Sequence, residues 1–305
     1  MMTSAIETAG LTKRYGPTTA VADLSLRIEP GQVFGFLGPN GAGKSTTIRM
    51  LLALQQPTSG RATLLGLDAA ADSVEIHRRT GYLPGDLELF PRLTGWQLVA
   101  WFGRARGLRG EGRAGQLVDR FRVVADRPVR ELSKGNRQKI GLVLAFMHEP
   151  ELLILDEPTS GLDPLMQHEF ENLLRETSAA GRTVFLSSHD LNEVQRITDR
   201  IAIIRDGRLV AEDTVDGLRR AAPRKLEVTF RQPVDSADLS TVTGVTVSAA
   251  DGPRMTLAVT GEIGPALRAI ASQDPVDLTV RPADLDELFL DFYQQPDQAE
   301  KSRAR

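Results

Sequence analysis

The run Gly38-Pro39-Asn40-Gly41-Ala42-Gly43-Lys44-Ser45 has the spacing G-x-x-x-x-G-K-[ST], and that spacing has a chemical meaning. Glycines let the backbone curl until successive N–H groups point at one anion, and a helix that starts where the curl ends adds the partial positive charge of its N-terminus. Lys44 is then placed to reach β- and γ-phosphates. The Ser45 hydroxyl suits Mg2+, an oxygen-seeking ion that takes the rest of its shell from phosphates, carboxylates and water. A second run, Leu152-Leu153-Ile154-Leu155-Asp156-Glu157, ends four apolar residues in two carboxylates. Beside a phosphate-binding loop, Asp156 at the C-terminal end of a strand suits a metal ligand, and Glu157 suits a general base that orients an attacking water.

Both runs need elements that hold them. Val33-Phe34-Gly35-Phe36-Leu37 is nearly all apolar, as a strand buried on both faces is, and Thr46 to Leu54 has helical spacing, so the glycine-rich run joins strand to helix. Leu152 to Leu155 and Thr183 to Leu186 read as further buried strands, with the helix-like stretch Leu165 to Ala180 between them. Strands alternating with helices imply an α/β fold with a largely parallel sheet. Ahead of it, Ile6 to Leu11 and Ala22 to Ile28 alternate apolar with polar residues and read as antiparallel strands, closed by a Pro30-Gly31 turn. Leu93 to Ala125 is arginine-rich and helical in pattern, broken at Gly107 to Gly112, and reads as an inserted helical subdomain spanning about 86–150.

After Leu218 the composition shifts, and Ala221-Ala222-Pro223 reads as a linker with a boundary near Arg224. Lys225 to Phe230, Val242 to Ser248, Met255 to Thr260 and Val276 to Val280 are expected as strands, Pro265 to Ser272 and Pro282 to Tyr293 as helices. That gives a domain over 4–220, a small α+β domain over 224–293, and a polar tail, 294–305, expected to be disordered.

Composition narrows the class of function. The 37 basic and 40 acidic side chains of the 305 residues leave a formal charge of −3, so no global basic field exists to hold nucleic acid, and none is expected as a partner. There is no cysteine, which removes thiolate ligands and thiol nucleophiles, and the four histidines show no metal-ligand spacing. Met1 to Gly10 lacks the profile of a signal peptide, and the longest apolar run, Ile140 to Met147, falls well short of the roughly 18 residues of a membrane span.

Further motifs give these residues a family. Leu132-Ser133-Lys134-Gly135-Asn136-Arg137-Gln138, which alone reads as a helix cap with Ser133 as N-cap, resembles the LSGGQ signature of ATP-binding cassette (ABC) proteins. Ser160-Gly161-Leu162-Asp163 follows Glu157 as that family's D-loop does, and His189 follows a strand as its switch histidine does. With the motifs in this order, residues 4 to 220 resemble the nucleotide-binding subunit of an ABC transporter. The resemblance implies a P-loop ABC ATPase core with an antiparallel β subdomain. It implies that ATP is bound by Tyr15 stacking on adenine, by Gly38, Pro39, Asn40, Gly41, Ala42, Gly43, Lys44, Ser45 and Thr46, and by Ser133, Gly135 and Asp163. It assigns Mg2+ to Ser45 and Asp156, and hydrolysis to Glu157 and His189. Two subunits, identical or different, are expected to pair head to tail around two ATP molecules, and a separate transmembrane permease is expected to hold them at the cytoplasmic face of the membrane.

The C-terminal domain and the segments Gly81-Tyr82-Leu83-Pro84-Gly85 and Leu132 to Asn136 are similar to bacterial drug and antibiotic exporters, so export of small amphipathic or hydrophobic compounds is expected. The alternative is a soluble ABC-type ATPase outside transport; a single Gly-Lys-Ser loop and the lack of zinc-binding cysteines or long coiled coils weigh against it. Two departures stand out. Lys134 and Asn136 replace a glycine and the usual glutamine of the signature, and Gly85 occupies the place of the Q-loop glutamine. Coupling through Gly85 is therefore expected to use backbone movement, with Gly85→Gln tolerated if the family geometry is preserved.

Overall fold

Alternating side chains fold Ile6–Tyr15 (β1) and Thr18–Ile28 (β2) into an antiparallel hairpin, with Ile6 opposite Ile28 and Tyr15 opposite Thr18. The computed structural model describes residues 3–281 other than Glu111 and Ala222. The expected helix Pro282–Tyr293 and the tail 294–305 lie outside these residues. Val33–Leu37 (β3) follows the hairpin and is buried at every position. The helix Lys44–Leu51 (α1) begins seven residues after Leu37 in the numbering, starting at the lysine itself. Ser59–Leu64 (β4) and Leu67–Asp68 (β5) complete a sheet of order β2-β1-β4-β5.

A short helix, Ser73–Arg79 (α2), leads into Thr80–Leu83 (β6). The arginine-rich stretch forms Gly95–Ala105 (α3) and Gly112–Arg120 (α4), and Lys134–Phe146 (α5) follows. Thr94 starts α3 with a reciprocal capping box to Gln97, while Leu98, Val129, Leu132 and Ile140 form a local core. Leu152–Asp156 (β7), Pro164–Ala179 (α6), Thr183–Ser188 (β8), the single turn Leu191–Val194 (α7), Arg200–Arg205 (β9) and Arg208–Thr214 (β10) complete the alternation. The central sheet has the order β10-β9-β3-β8-β7-β6, and β6, β7, β8, β3 and β9 pair in parallel. No residue of β7 or β8 is exposed, and their residues Leu152 to Leu155 and Val184 to Leu186 are apolar without interruption.

The chain divides into two compact units between Glu212 and Asp213, ahead of the boundary near Arg224 expected from composition. The residues between do not form a loose linker, because Val215–Ala221 is helical (α8). In the second unit Arg224–Phe230 (β11), Val245–Asp251 (β12), Arg254–Val259 (β13) and Pro275–Arg281 (β14) form an antiparallel sheet of order β12-β13-β11-β14. The helices Ser236–Ser240 (α9) and Ile263–Ala271 (α10) accompany it, over a core that includes Leu226, Val228, Leu257 and Ile270. β12 starts later than the expected Val242 because Gly244 turns the chain with φ +81° and its carbonyl accepts the Thr260 N–H at 2.8 Å. None of the described helices is long and apolar enough to cross a membrane.

Candidate active site

The phosphate-loop residues leave the end of β3 and turn into α1 through a backbone that only glycine permits. Gly43 has φ +106°, and a Cβ there would stand 2.5 Å from the Ala20 carbonyl. At Gly38 a Cβ would meet the Ile204 carbonyl at 2.4 Å. The motif glycines are thus fixed by packing against β2 and β9 as well as by any ligand. Lys44 is 6% exposed, and its ammonium donates to the carbonyls of Gly38 at 2.6 Å and Pro39 at 3.3 Å.

Glu157 joins that ammonium to His189. Its Oε1 lies 3.3 Å from Lys44 Nζ, and its Oε2 accepts from His189 Nδ1 at 2.8 Å. An ionised carboxylate only accepts, so this contact places the imidazole proton on Nδ1. The Lys44 contact is an ion pair without hydrogen-bond alignment, which leaves buried Glu157 Oε1 with no hydrogen-bond partner. Asp156, one residue earlier and 3% exposed, accepts a hydrogen bond at Oδ1 from Ser187 Oγ.

These groups border one cavity of about 650 Å3, which also receives Pro39, Asn40, Gly41, Gly43, Ser45, Thr46, Gly85, Asp86, Lys134 and Ser160. Gly38 and Ala42 shape the loop without facing this space. A second cavity of about 610 Å3 gathers Ser133, Gly135 and Asp163 with Arg122, Arg127, Lys134 and Lys139. Lys134 and Gly161 carry it next to the first, and the Lys134 ammonium donates to Ser160 Oγ at 3.0 Å. Ser133 caps α5 by accepting the Asn136 N–H, and Asp163 caps α6 by accepting the Met166 N–H, so the capping role and a place beside the cavity coexist.

Tyr15 borders neither cavity. It is 47% exposed, its hydroxyl accepts from Gln55 Nε2, and Lys13 Nζ stands 5.4 Å over its ring. Ala20 lines the first cavity on the hairpin side instead.

Several residues at the site carry no motif. Arg49 and Tyr82 line the first cavity. Arg49 stands four residues after Ser45, the helical repeat that returns it to the same face of α1, a signal that spacing alone could have supplied. Burial, reinforced by the charges of Asp156 and Asp86, raises the Tyr82 phenol above its ordinary range, and Arg49 partly offsets this. Glu193 is also raised, by burial first, although it accepts from Thr159 and Ser188. Its carboxylate links the segment after Glu157 to the turn that carries His189.

The donor set fits Mg2+. Ser45 and Asp156 offer hard oxygens, and Glu157 Oε1 is a buried oxygen without a hydrogen-bond donor. Among the described residues no group of three or more His, Cys, Asp or Glu side chains is arranged to hold a metal alone.

The sequence profile of the ABC transporter family matches residues 21–160. The chain is 35% identical over 309 aligned positions to the daunorubicin/doxorubicin resistance ATP-binding protein DrrA of Streptomyces peucetius, covering 96% of this chain and 94% of that protein. It is 34% identical to the Nod factor export ATP-binding protein I of Cupriavidus pinatubonensis, covering 95% and 90% of the two chains. The solved structure of an ATP-binding subunit of an ABC transporter superposes with a TM-score of 0.66 at 32% identity, over 71% of this chain and 92% of that one. The chain belongs to the ABC transporter family, as one of its ATP-binding, ATP-hydrolysing subunits.

Proposed function

We propose that the first cavity binds Mg2+-ATP and that Lys44, Glu157 and His189 perform its hydrolysis. The observation that carries this reading is the contiguous contact Lys44–Glu157–His189 around one space. Lys44 donates to the carbonyls of its own loop and pairs with Glu157. An arriving phosphate competes for the ammonium with far higher charge. As Lys44 turns to the phosphate, Glu157 Oε1 is released from the ammonium and is left facing the attacking water. His189 holds the carboxylate through Nδ1, so the accepting oxygen stays oriented. Water oxygen bonds to the γ-phosphorus, the bond from γ-phosphorus to the bridging oxygen breaks, and the water proton passes to Glu157. Ser45 and Asp156 would hold Mg2+, which supplies charge neutralisation at the phosphates when bound.

The second cavity sets four cations, Arg122, Arg127, Lys134 and Lys139, against Glu131 and Asp163. This surplus supports the reading that it meets the phosphate of a nucleotide seated on a second subunit, in a head-to-tail dimer. A separate permease would anchor that dimer at the cytoplasmic face of the membrane. The names of the relatives support export of drug-like or other amphipathic compounds, with the cargo selected in the permease. The first unit would act as the ATP-binding cassette and the second as an accessory domain.

The test is Glu157→Gln. The amide keeps the size of the side chain and cannot accept the water proton. ATP binding should persist, turnover should fall by about two orders of magnitude or more, and dimers should accumulate with ATP. Parental turnover would remove Glu157 as the base. A variant that binds ATP and stays monomeric would remove the head-to-tail reading.

A further inference from the structure

Asp156 and Glu157 are adjacent in sequence yet serve different partners, so each carboxylate has to be aimed separately. The backbone achieves this at a cost, because Glu157 sits in the left-handed region with φ +51°, a conformation that a residue with a long side chain keeps only when its surroundings hold it. The Glu157 N–H is held by one residue twice over: it donates to the carbonyl of Ser187 at 3.2 Å and to Ser187 Oγ at 3.2 Å. The same hydroxyl gives its single proton to Asp156 Oδ1. One hydroxyl can do both at once, since it has one proton to donate and lone pairs to accept with.

Ser187 is fully buried, and parallel pairing of β7 with β8 sets it directly across from Asp156. The preceding residues of β8, Val184, Phe185 and Leu186, are apolar and buried. A hydroxyl in that setting has to find a partner, and the two it finds are the Asp156 carboxylate and the Glu157 amide. With Oδ1 occupied, Asp156 keeps Oδ2 for the other side, where a Cβ at Gly85 would come within 3.1 Å. Gly85 lines the nucleotide cavity together with Asp156.

We propose that Ser187 is the positioning residue of this site: its hydroxyl fixes Asp156 with Oδ2 free for Mg2+ and pins the strained turn that carries Glu157. The inference rests on the reading of Asp156 as a metal ligand and of Glu157 as the base. Ser187 touches neither nucleotide nor metal; it acts through the two carboxylates. Its side chain makes no hydrogen bond to the Gly38–Ser45 loop, so affinity for phosphate without metal does not depend on it.

The experiment compares the full-length parental protein with Ser187→Ala and Ser187→Thr, using a non-hydrolysable ATP analogue. Analogue affinity is measured in EDTA, and Mn2+ affinity of the protein–analogue complex by electron paramagnetic resonance. Loss of an outer partner of a metal ligand typically lowers metal affinity about 10- to 100-fold. Ser187→Ala should therefore bind Mn2+ about tenfold more weakly, with its affinity in EDTA unchanged, and Ser187→Thr, which keeps the hydroxyl, should recover most of the Mn2+ affinity. Parental Mn2+ affinity in Ser187→Ala overturns the proposal. An equal loss of affinity in EDTA also overturns it, because Ser187 would then only support the fold. If Ser187→Ala does not fold, Ser187→Cys, close in size and a weak donor, takes its place with the same criteria. Failure of the parental protein to bind the analogue would instead remove the reading on which the proposal rests.

Discussion

Gly85 stands where the family resemblance calls for a glutamine, and the structure turns that departure into a measurable steric argument. A Cβ on Gly85 would lie 3.1 Å from Asp156 Oδ2 and 3.2 Å from its Cγ. Ordinary contacts of this kind start near 3.4 Å, so alanine requires a shift of about 0.3 Å somewhere. The backbone is no obstacle, because Gly85 is not among the glycines with positive φ. Asp156 cannot retreat freely, since Oδ1 is held by Ser187 and its main chain pairs with β8. The displacement therefore falls on Oδ2 and on the loop at Pro84–Asp86. Overpacking by a methyl group costs about 1–3 kcal/mol in a packed site; at the lower end, about 1.4 kcal/mol corresponds to a tenfold loss of rate. Gly85→Ala should thus lower kcat about tenfold and raise the Mg2+ concentration needed for half-maximal ATPase activity, while affinity for an ATP analogue in EDTA is unchanged. A glutamine begins with the same Cβ, so Gly85→Gln should lose at least as much. The sequence alone leads to the expectation that glutamine is tolerated if the family geometry is preserved; the contact with Asp156 is the reason a loss is expected here. ATPase assays across a Mg2+ titration decide the matter: parental kcat and parental Mg2+ dependence in Gly85→Ala would refute the steric reasoning.

Three further outcomes are expected. Lys44→Ala should lose nucleotide affinity itself, in EDTA as well as with Mg2+, because the phosphates lose their buried cation; unchanged affinity by equilibrium dialysis would remove the phosphate-loop reading. Burial, helped by the nearby Arg106 guanidinium, lowers the His148 imidazole from 6.5 to about 4. Its folded-state pKa is thus below the unfolded one, so the unfolded chain binds the extra proton first; the stabilisation is complete above about pH 6.5 and is lost as pH falls toward about 4. Urea unfolding should show about 2 kcal/mol lost between about pH 7.5 and 5, and a His148→Gln protein with the same loss would refute this. Lys134→Gln removes a cation that reaches Ser160 at 3.0 Å; in the Glu157→Gln background ATP-driven pairing should weaken about fivefold, or about 1 kcal/mol, and become less sensitive to salt, and unchanged pairing would exclude Lys134 from the phosphate contact.

Sequence was most informative where one physical demand acts on consecutive residues. β3, β7 and β8 are buried on both faces, so each contains an apolar run; those of β3 and β7 stop directly before Gly38 and Asp156, and that of β8 stops at Leu186, three residues before His189. The small strands β4 and β5 gave no such signal: Ser59 and Gly60 are exposed polar or glycine positions, and β5 has two residues, so only pairing to β1 and to each other makes them strands. The compact units divide ahead of the boundary near Arg224 that composition leads one to expect, for a related reason. Ala221-Ala222-Pro223 has the composition of a linker, but a proline also stops a helix, and here it follows one.

The site divides along the same line. Gly38, Lys44, Ser45, Asp156 and Glu157 lie in two short runs, and a run can be read because its residues share one turn. The ties among them are made across strands. Register alone brings Ser187 opposite Asp156, and the φ of Glu157 alone turns its N–H to the same hydroxyl. In sequence Ser187 is one of two adjacent serines before His189, and nothing in that pair distinguishes the one that faces Asp156 from the one that bonds Glu193 at 3.2 Å. Alternation of faces along a strand makes the difference: Ser187 turns to Asp156 and Ser188 to the turn that carries His189. Exchanging the two contacts would need a one-residue slip of β8, which would also move Val184 and Leu186 to the opposite face of the strand and undo their packing. The placement of Ser187 against Asp156 and the packing of the strand are therefore set by the same pairing.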